Sequence, residues 1–219
     1  MRHAFAFLLA GSLVTGSASA DWRQLPSKDF PLKAPPAVGS PESEEDYRLI
    51  EEAEAARTDA DCRLAAKQNE PAYPLFFYDE ASPLPRAEAK RAEALVSPVM
   101  HLAARIAGYH KAKYRRPRPY DVRDSIHPCV ERPGGAKSYP SSHAAAASAA
   151  TCVLSAAFPE KAAALRAYGN RLGELRVVVG VHHPSDVAAG ASLGEALCER
   201  LLKDESFQGE LEEMLTLPR

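Results

Sequence analysis

One stretch limits what this chain can fold into more than any other: "HAAAASAATCVLSAAF", His143 to Phe158. Half of its residues are alanine, the best helix former, and no proline or glycine interrupts it. Interhelical distance follows the side chains at the contact, so a helix covered in small groups lets its neighbours come close. Such a helix is expected to be buried.

The rest of the chain also carries helical spacing. "SEEDYRLIEEAEAAR", from Ser43, has helical spacing of Tyr47, Leu49 and Ile50, and a second short helix is expected from near Thr58. Helices follow over about 85–97 and 98–115, the second opened by Pro98 at a favoured first-turn position. Beyond the alanine-rich helix, Pro159 opens another, running to about Val181; Pro184 opens the next, and a short amphipathic helix ends the chain. Residues 117–141 hold five prolines and two glycines and read as a loop. Strand signals are nearly absent, and no internal repeat appears. The expected fold class is all-α, one compact multi-helix domain over residues 43–219. Ahead of it, residues 21–42 carry Pro26, Pro31, Pro35, Pro36 and Pro41 and read as an extended arm. "NEPAYPLFFYDEASPLP", residues 69–85, is a proline- and aromatic-rich connection suited to walling a pocket.

The first twenty residues have a short basic start, an apolar centre and an A-x-A ending at Ala18-Ser19-Ala20, the layout of a cleaved secretory signal. The apolar run is too short, and too broken by Gly and Ser, to serve as a membrane anchor. The expected product is exported, periplasmic and soluble, without a transmembrane segment. Its formal charge is −2, or −3 once Arg2 leaves with the leader. A near-neutral surface gives no reason to expect nucleic acid or a membrane surface as partner. Homo-oligomerisation stays open.

Four cysteines, Cys62, Cys129, Cys152 and Cys198, remain after cleavage, and an even count in an exported chain points to one or two disulfides. Their pairing is not legible, and Cys152 also reads as a small core residue of the alanine-rich helix. With no C-x-x-C pair, a zinc cluster is not expected.

Three stretches concentrate cations and histidines. In "KAKYRRPRP", Lys111 and Arg118 are nearly two helical turns apart and project to one side, while Pro117 and Pro119 end the helix there. "SYPSSH", residues 138–143, leads Ser141, Ser142 and His143 into a helix start, whose N–H groups attract anions. "RVVVGVHHPSD" supplies Arg176, His182, His183 and Asp186. A tetrahedral dianion needs that set: cations to neutralise its oxygens, N–H donors to orient it, one histidine to attack and another to pass a proton to the leaving group. A carboxylate four residues after His182 suits its second ring nitrogen. No obligatory metal or other cofactor is implied.

The three stretches resemble the three-part signature of the phosphatidic-acid-phosphatase type 2 superfamily, which includes bacterial class A non-specific acid phosphatases and vanadium haloperoxidases. K-x(6)-R-P is matched by Lys111, Arg118 and Pro119; P-S-G-H by Pro140, Ser141, Ser142 and His143, with serine for glycine; S-R-x(5)-H-x(3)-D by Leu175, Arg176, His182 and Asp186, with leucine for serine. "SYPS" and "SDV" look most like the class A acid phosphatases. The resemblance implies an acid phosphatase acting on phosphomonoesters, with His182 as nucleophile forming a phosphohistidine, His143 as general acid and Asp186 orienting His182. Lys111, Arg118 and Arg176 would clamp the phosphate, with Ser141 and the Ser142 backbone. Ser142 would be strained if glycine's positive φ were required there, and Leu175 forfeits a hydroxyl.

The remaining residues have plainer readings. Arg115 and Arg116 are expected on a solvated basic face. His183 is expected to line the pocket, and His101, His110 and His127 to be structural or exposed. Asp121, Asp124 and Glu131 carry no assigned role. A metal site from His182, His183 and Asp186 is disfavoured, because adjacent histidines rarely reach one ion together. Competing functions are a vanadium-dependent haloperoxidase, a lipid or diphosphate phosphatase acting on phospholipid headgroups, and an inactive anion-binding homologue.

Overall fold

The computed structural model describes residues 21–67, 82–134 and 137–216. The leader and most of the aromatic connection, residues 68–81, lie outside them.

Among the described residues there are seven α-helices and no strand. They are α1 (Pro41–Ala56), α2 (Asp59–Lys67), α3 (Arg86–Tyr114), α4 (Ser142–Ala157), α5 (Ala162–Val178), α6 (Pro184–Leu201) and α7 (Glu205–Thr216). The all-α expectation is met. None of the described helices is long and apolar enough to cross a membrane.

The alanine-rich helix, α4, is the hub. It is buried along nearly its whole length and packs on α3, α5 and α6. Its neighbours meet it through glycines. A Cβ built on Gly190 of α6 would lie 2.4 Å from Ser141 O, and one on Gly194 2.4 Å from Ala145 O. On α5, a Cβ at Gly169 would lie 2.5 Å from Thr151 Oγ1. Small groups on both sides of each contact therefore set how close the helices come.

The structure corrects two expectations. Pro98 does not open a new helix; α3 runs unbroken through it. A proline inside a helix forfeits one hydrogen bond and costs about 3 kcal/mol. Here Leu95, Val96, Val99, Met100, Leu102 and Ala103 flank it in the core, and burying side chains of that size outweighs the penalty at roughly 1.5–3 kcal/mol for each large one. Cys152 is not a free core thiol. It bonds Cys198, joining α4 to α6, while Cys62 bonds Cys129 and joins α2 to the loop after α3.

The proline-rich arm lies on the bundle. Trp22 is fully buried, edge-on to Phe207 of α7, and its Nε1 donates to Glu210 Oε1 at 3.0 Å. Further along the arm, backbone carbonyls accept from the bundle: Leu25 O from Arg105, Phe30 O from buried His110, Leu32 O from the Tyr114 hydroxyl.

Candidate active site

Helix ends bring the three motif stretches together. α3 stops where Arg115 turns left-handed (φ 49°) and its N–H donates to Lys111 O. Pro117 and Pro119 keep the next residues from re-entering a helix, and Arg118 is extended at φ −74°, ψ 156°. Alternate residues of an extended segment share a face, so Arg116 and Arg118 enter the interior together. At the other end of the sequence, Gly180 (φ 75°) turns the chain between α5 and α6, and Arg176 O accepts from both Val181 N and His182 N at 3.1 Å. That closed turn is the physical reason six residues separate Arg176 from His182.

His182 is the centre of the site, 3 % exposed. Its Nε2 is 2.8 Å from Arg118 Nη1, and its Nδ1 is 3.3 Å from Asp186 Oδ2. A guanidinium has hydrogens only to give, so Nε2 holds a lone pair and the ring proton sits on Nδ1. Burial holds this imidazole well below its ordinary pKa; Arg118 and Lys111 push the same way, and the bond to Asp186 opposes them. The ring is therefore neutral in neutral and mildly acidic water, with its free nitrogen toward the cations.

Asp186, fully buried, stands in the first turn of α6. Burial alone would raise its carboxyl, but the bonds from His182 and His183 outweigh that and hold it well below the ordinary carboxylate range. The helix start adds positive potential. Oδ2 accepts from Ser138 Oγ at 2.5 Å, from the His183 N–H at 3.0 Å and from His183 Nδ1 at 3.0 Å, besides His182. Oδ1 accepts from Arg116 Nη1 at 2.8 Å.

Arg118 and Lys111 both act on His182, and Arg176 lies within reach of the Arg118 charge. Arg118 also donates to Val181 O at 2.7 Å, and Arg176 to Ala65 O at 3.3 Å, yet the Nε of each is buried without a partner. Buried donors with no acceptor are rare in folded proteins. Burial and the Arg118 charge bring Arg176 down to about 10. Lys111 is half-buried; burial first, then Arg118, pulls its ammonium down to about 7, while Lys137 O and Ser138 O accept from it at 2.7 and 3.3 Å. Ser141 caps α4, its Oγ accepting from Ala144 N, and its own N–H reaches Asp186 O at 2.9 Å. The start of α4 thus abuts the start of α6, and half-buried Ser142 and His143 stand in that first turn.

Several sequence expectations change. Arg116 is not on a solvated face: it is buried and bonds Asp186, Ser185 Oγ and Asp46. Arg115 does stay exposed. His183 is 1 % exposed; it caps α6, bonds Asp186 and packs edge-on against Tyr47, so it braces the carboxylate from behind. Ser142 is helical, and among the described non-glycine residues only Arg115 has a positive φ, so serine carries no backbone strain there. Leu175 is fully buried in an apolar cluster with Ala65, Val179 and Val181. Sequence reasoning missed Asp46, Arg116, Ser138 and Ser185. Arg116 and Ser138 lie inside the motif stretches and had a positional signal; Asp46, within an acidic helix, had none.

Arg118 at the unprotonated nitrogen of His182, Asp186 at the protonated one, and Lys111 acting on the same ring bring the first and third motif stretches together. The chain belongs to the PAP2 superfamily, whose model matches residues 94–205, the span that holds all three motifs. It is 42% identical over 74 residues to the non-specific acid phosphatase of Salmonella typhi, and equally to that of Salmonella typhimurium; the match covers 34% of this chain and 30% of each relative. The chain therefore aligns with about a third of the length of these relatives. A bacterial vanadium-dependent iodoperoxidase has a similar fold, with TM-score 0.63 and 15% identity over 81% of this chain and 53% of that one.

Proposed function

We propose that the protein is an exported acid phosphatase that hydrolyses phosphomonoesters through a phosphohistidine, with no metal in the reaction. One observation carries the reading: the buried Nε donors of Arg118 and Arg176 have no acceptor, and the lone pair of His182 Nε2 faces Nη1 of that same Arg118. A phosphate monoester satisfies both. Its oxygens take Arg118 away from His182 Nε2 and bond Arg176, Lys111 and the N–H groups at the start of α4. The freed Nε2 attacks phosphorus in line, the P–O ester bond breaks, and His143 gives its proton to the leaving oxygen. Asp186 stabilises the imidazolium through Nδ1. Water, losing a proton to His143, then displaces His182 and releases phosphate. The acid phosphatase relatives support the substrate class, and the two disulfides support an oxidising compartment such as the periplasm.

The test is phosphate release from p-nitrophenyl phosphate by the periplasmic fraction and by the purified protein, with and without EDTA. We expect turnover insensitive to EDTA, fastest on the acid side of neutrality, and a loss of roughly a thousandfold or more in His182→Ala. Full activity in His182→Ala overturns the mechanism. Peroxide-dependent iodide oxidation with vanadate, and no phosphate release, overturns the function.

A further inference from the structure

The histidine–aspartate pair is held by a second cation, Arg116, at a position that the first motif leaves open. Arg116 Nη1 donates to Asp186 Oδ1 at 2.8 Å, and its Nη2 donates to Asp46 Oδ2 at 2.8 Å. Asp46 comes from α1, outside all three motif stretches, and also accepts from the Ser185 N–H at 3.0 Å and from the Ser185 hydroxyl. All three charged groups are buried, with side chains 6 %, 7 % and 0 % exposed for Asp46, Arg116 and Asp186. A buried cation shared by two anions is costly to desolvate unless its hydrogen bonds are well made, as these are.

We propose that Arg116 is a positioning residue of this site: held between Asp46 and Asp186, it takes one oxygen of the Asp186 carboxylate so that the other faces His182. The role rests on the phosphatase reading only insofar as it concerns catalysis; the orientation of His182 does not depend on it. One extended segment grips the pair from both ends, Arg118 at the imidazole's Nε2 and Arg116 at the far carboxylate oxygen. A planar fork suits this, because it reaches two carboxylates in fixed directions, which an ammonium cannot. Asp46 in turn draws part of the Arg116 charge away from Asp186 and anchors the fork to α1.

The charges predict opposite effects on His182. The charged groups acting on it are Arg118 and Lys111 from the α3 side and Asp186 at the start of α6; among the described residues Arg116 forms its ion pairs with Asp46 and Asp186. Removing Arg116 leaves the Asp186 charge less compensated, so His182 holds its proton more tightly. Removing the Asp46 charge does the reverse. A unit charge two hydrogen bonds away, at an effective dielectric of about 20, moves a titration by on the order of one pH unit.

The experiment uses the full chain, 15N-labelled at histidine, titrated by NMR between about pH 4 and 8, with kcat and KM for p-nitrophenyl phosphate measured in parallel. In Arg116→Ala we expect the His182 midpoint to rise by about one unit and kcat to fall about tenfold or more, with KM within about threefold. Asp46→Asn should move the midpoint down or leave it below the range. Arg116→Lys should keep the midpoint near the wild-type value while recovering only part of kcat. Arg116→Ala with an unmoved midpoint, or Asp46→Asn shifting upward with it, overturns the proposal. If Arg116→Ala does not fold, Arg116→Lys and Asp46→Asn carry the test, and equal loss of kcat and melting temperature with unmoved midpoints counts as refutation. A wild type that releases no phosphate counts against the phosphatase reading, while the titration still decides the role of Arg116.

Discussion

Gly194→Ala tests the link between close helix packing and the site. The added Cβ would lie 2.4 Å from Ala145 O, 2.7 Å from Ala149 N and 2.7 Å from Ser148 Cβ, whereas ordinary contact begins near 3.4 Å. Two of those atoms are α4 backbone and cannot swing aside, so α4 and α6 must part by roughly 1 Å. Overpacking of this kind costs about 1–3 kcal/mol and sometimes more, against about 1 kcal/mol gained from alanine's helix propensity. With the cost at the upper end of that range, a net loss of about 1–2 kcal/mol lowers Tm by about 2–8 °C for a domain of this size. The parting is not uniform. The Cys152–Cys198 bond clamps the two helices one turn beyond Gly194, so they open toward their starts, where Ser141, His143 and Asp186 stand. A displacement of about 1 Å at reacting groups costs on the order of a hundredfold in rate. Thermal unfolding by circular dichroism and phosphate release from p-nitrophenyl phosphate measure both effects. Gly108→Ala is the control: it lies within α3, where an added Cβ meets nothing within 4 Å beyond its own helix backbone among the described residues, and should raise Tm by about 2–4 °C. A Gly194→Ala protein with wild-type Tm and full turnover refutes the reasoning.

Two further outcomes follow from the site. Lys111, pulled down to about 7, pays an electrostatic cost for being charged in its buried place below that pH, and is neutral above it. Bound phosphate removes that cost, so saturating phosphate should raise Tm more near about pH 5.5 than near about pH 8.5; equal rises would exclude Lys111 from the anion site. Leu175→Ser restores the motif's serine inside an apolar cluster, and should cost about 3 kcal/mol, lowering Tm by about 6–12 °C without lowering KM. A tighter KM with unchanged Tm would show that position 175 reaches the phosphate.

Much of the fold was legible because it rests on local signals. Pro159 and Pro184 mark helix starts to within a few residues, the helix expected from Ser43 begins at Pro41, and alanine richness marks the buried hub. The glycines at 169 and 173 and at 190 and 194, each pair one helical turn apart, also announce the close approach to α4, a pattern that needs the hub helix identified first. Pro98 misled because a local penalty competes with burial that depends on the whole bundle. In the site, the motif stretches name His182, Asp186 and the cations beside them, since their spacing is set by turns within each stretch, such as the one that closes from Arg176 to His182.

By itself, then, the sequence determined the helices, the hub and the chemical groups at the helix ends, because propensity, capping and turn geometry act over a few residues. Only the tertiary structure decided that Arg116 turns inward, that His183 shares the Asp186 carboxylate, that Cys152 pairs with Cys198, and that Asp46 braces the site from α1. Apart from the His183–Asp186 bond, which spans one helical turn, each is a contact between residues distant in the chain, where a charge or thiol takes its meaning from the partner that packing brings to it. A lone arginine reads as solvated until two buried carboxylates are found on either side of it.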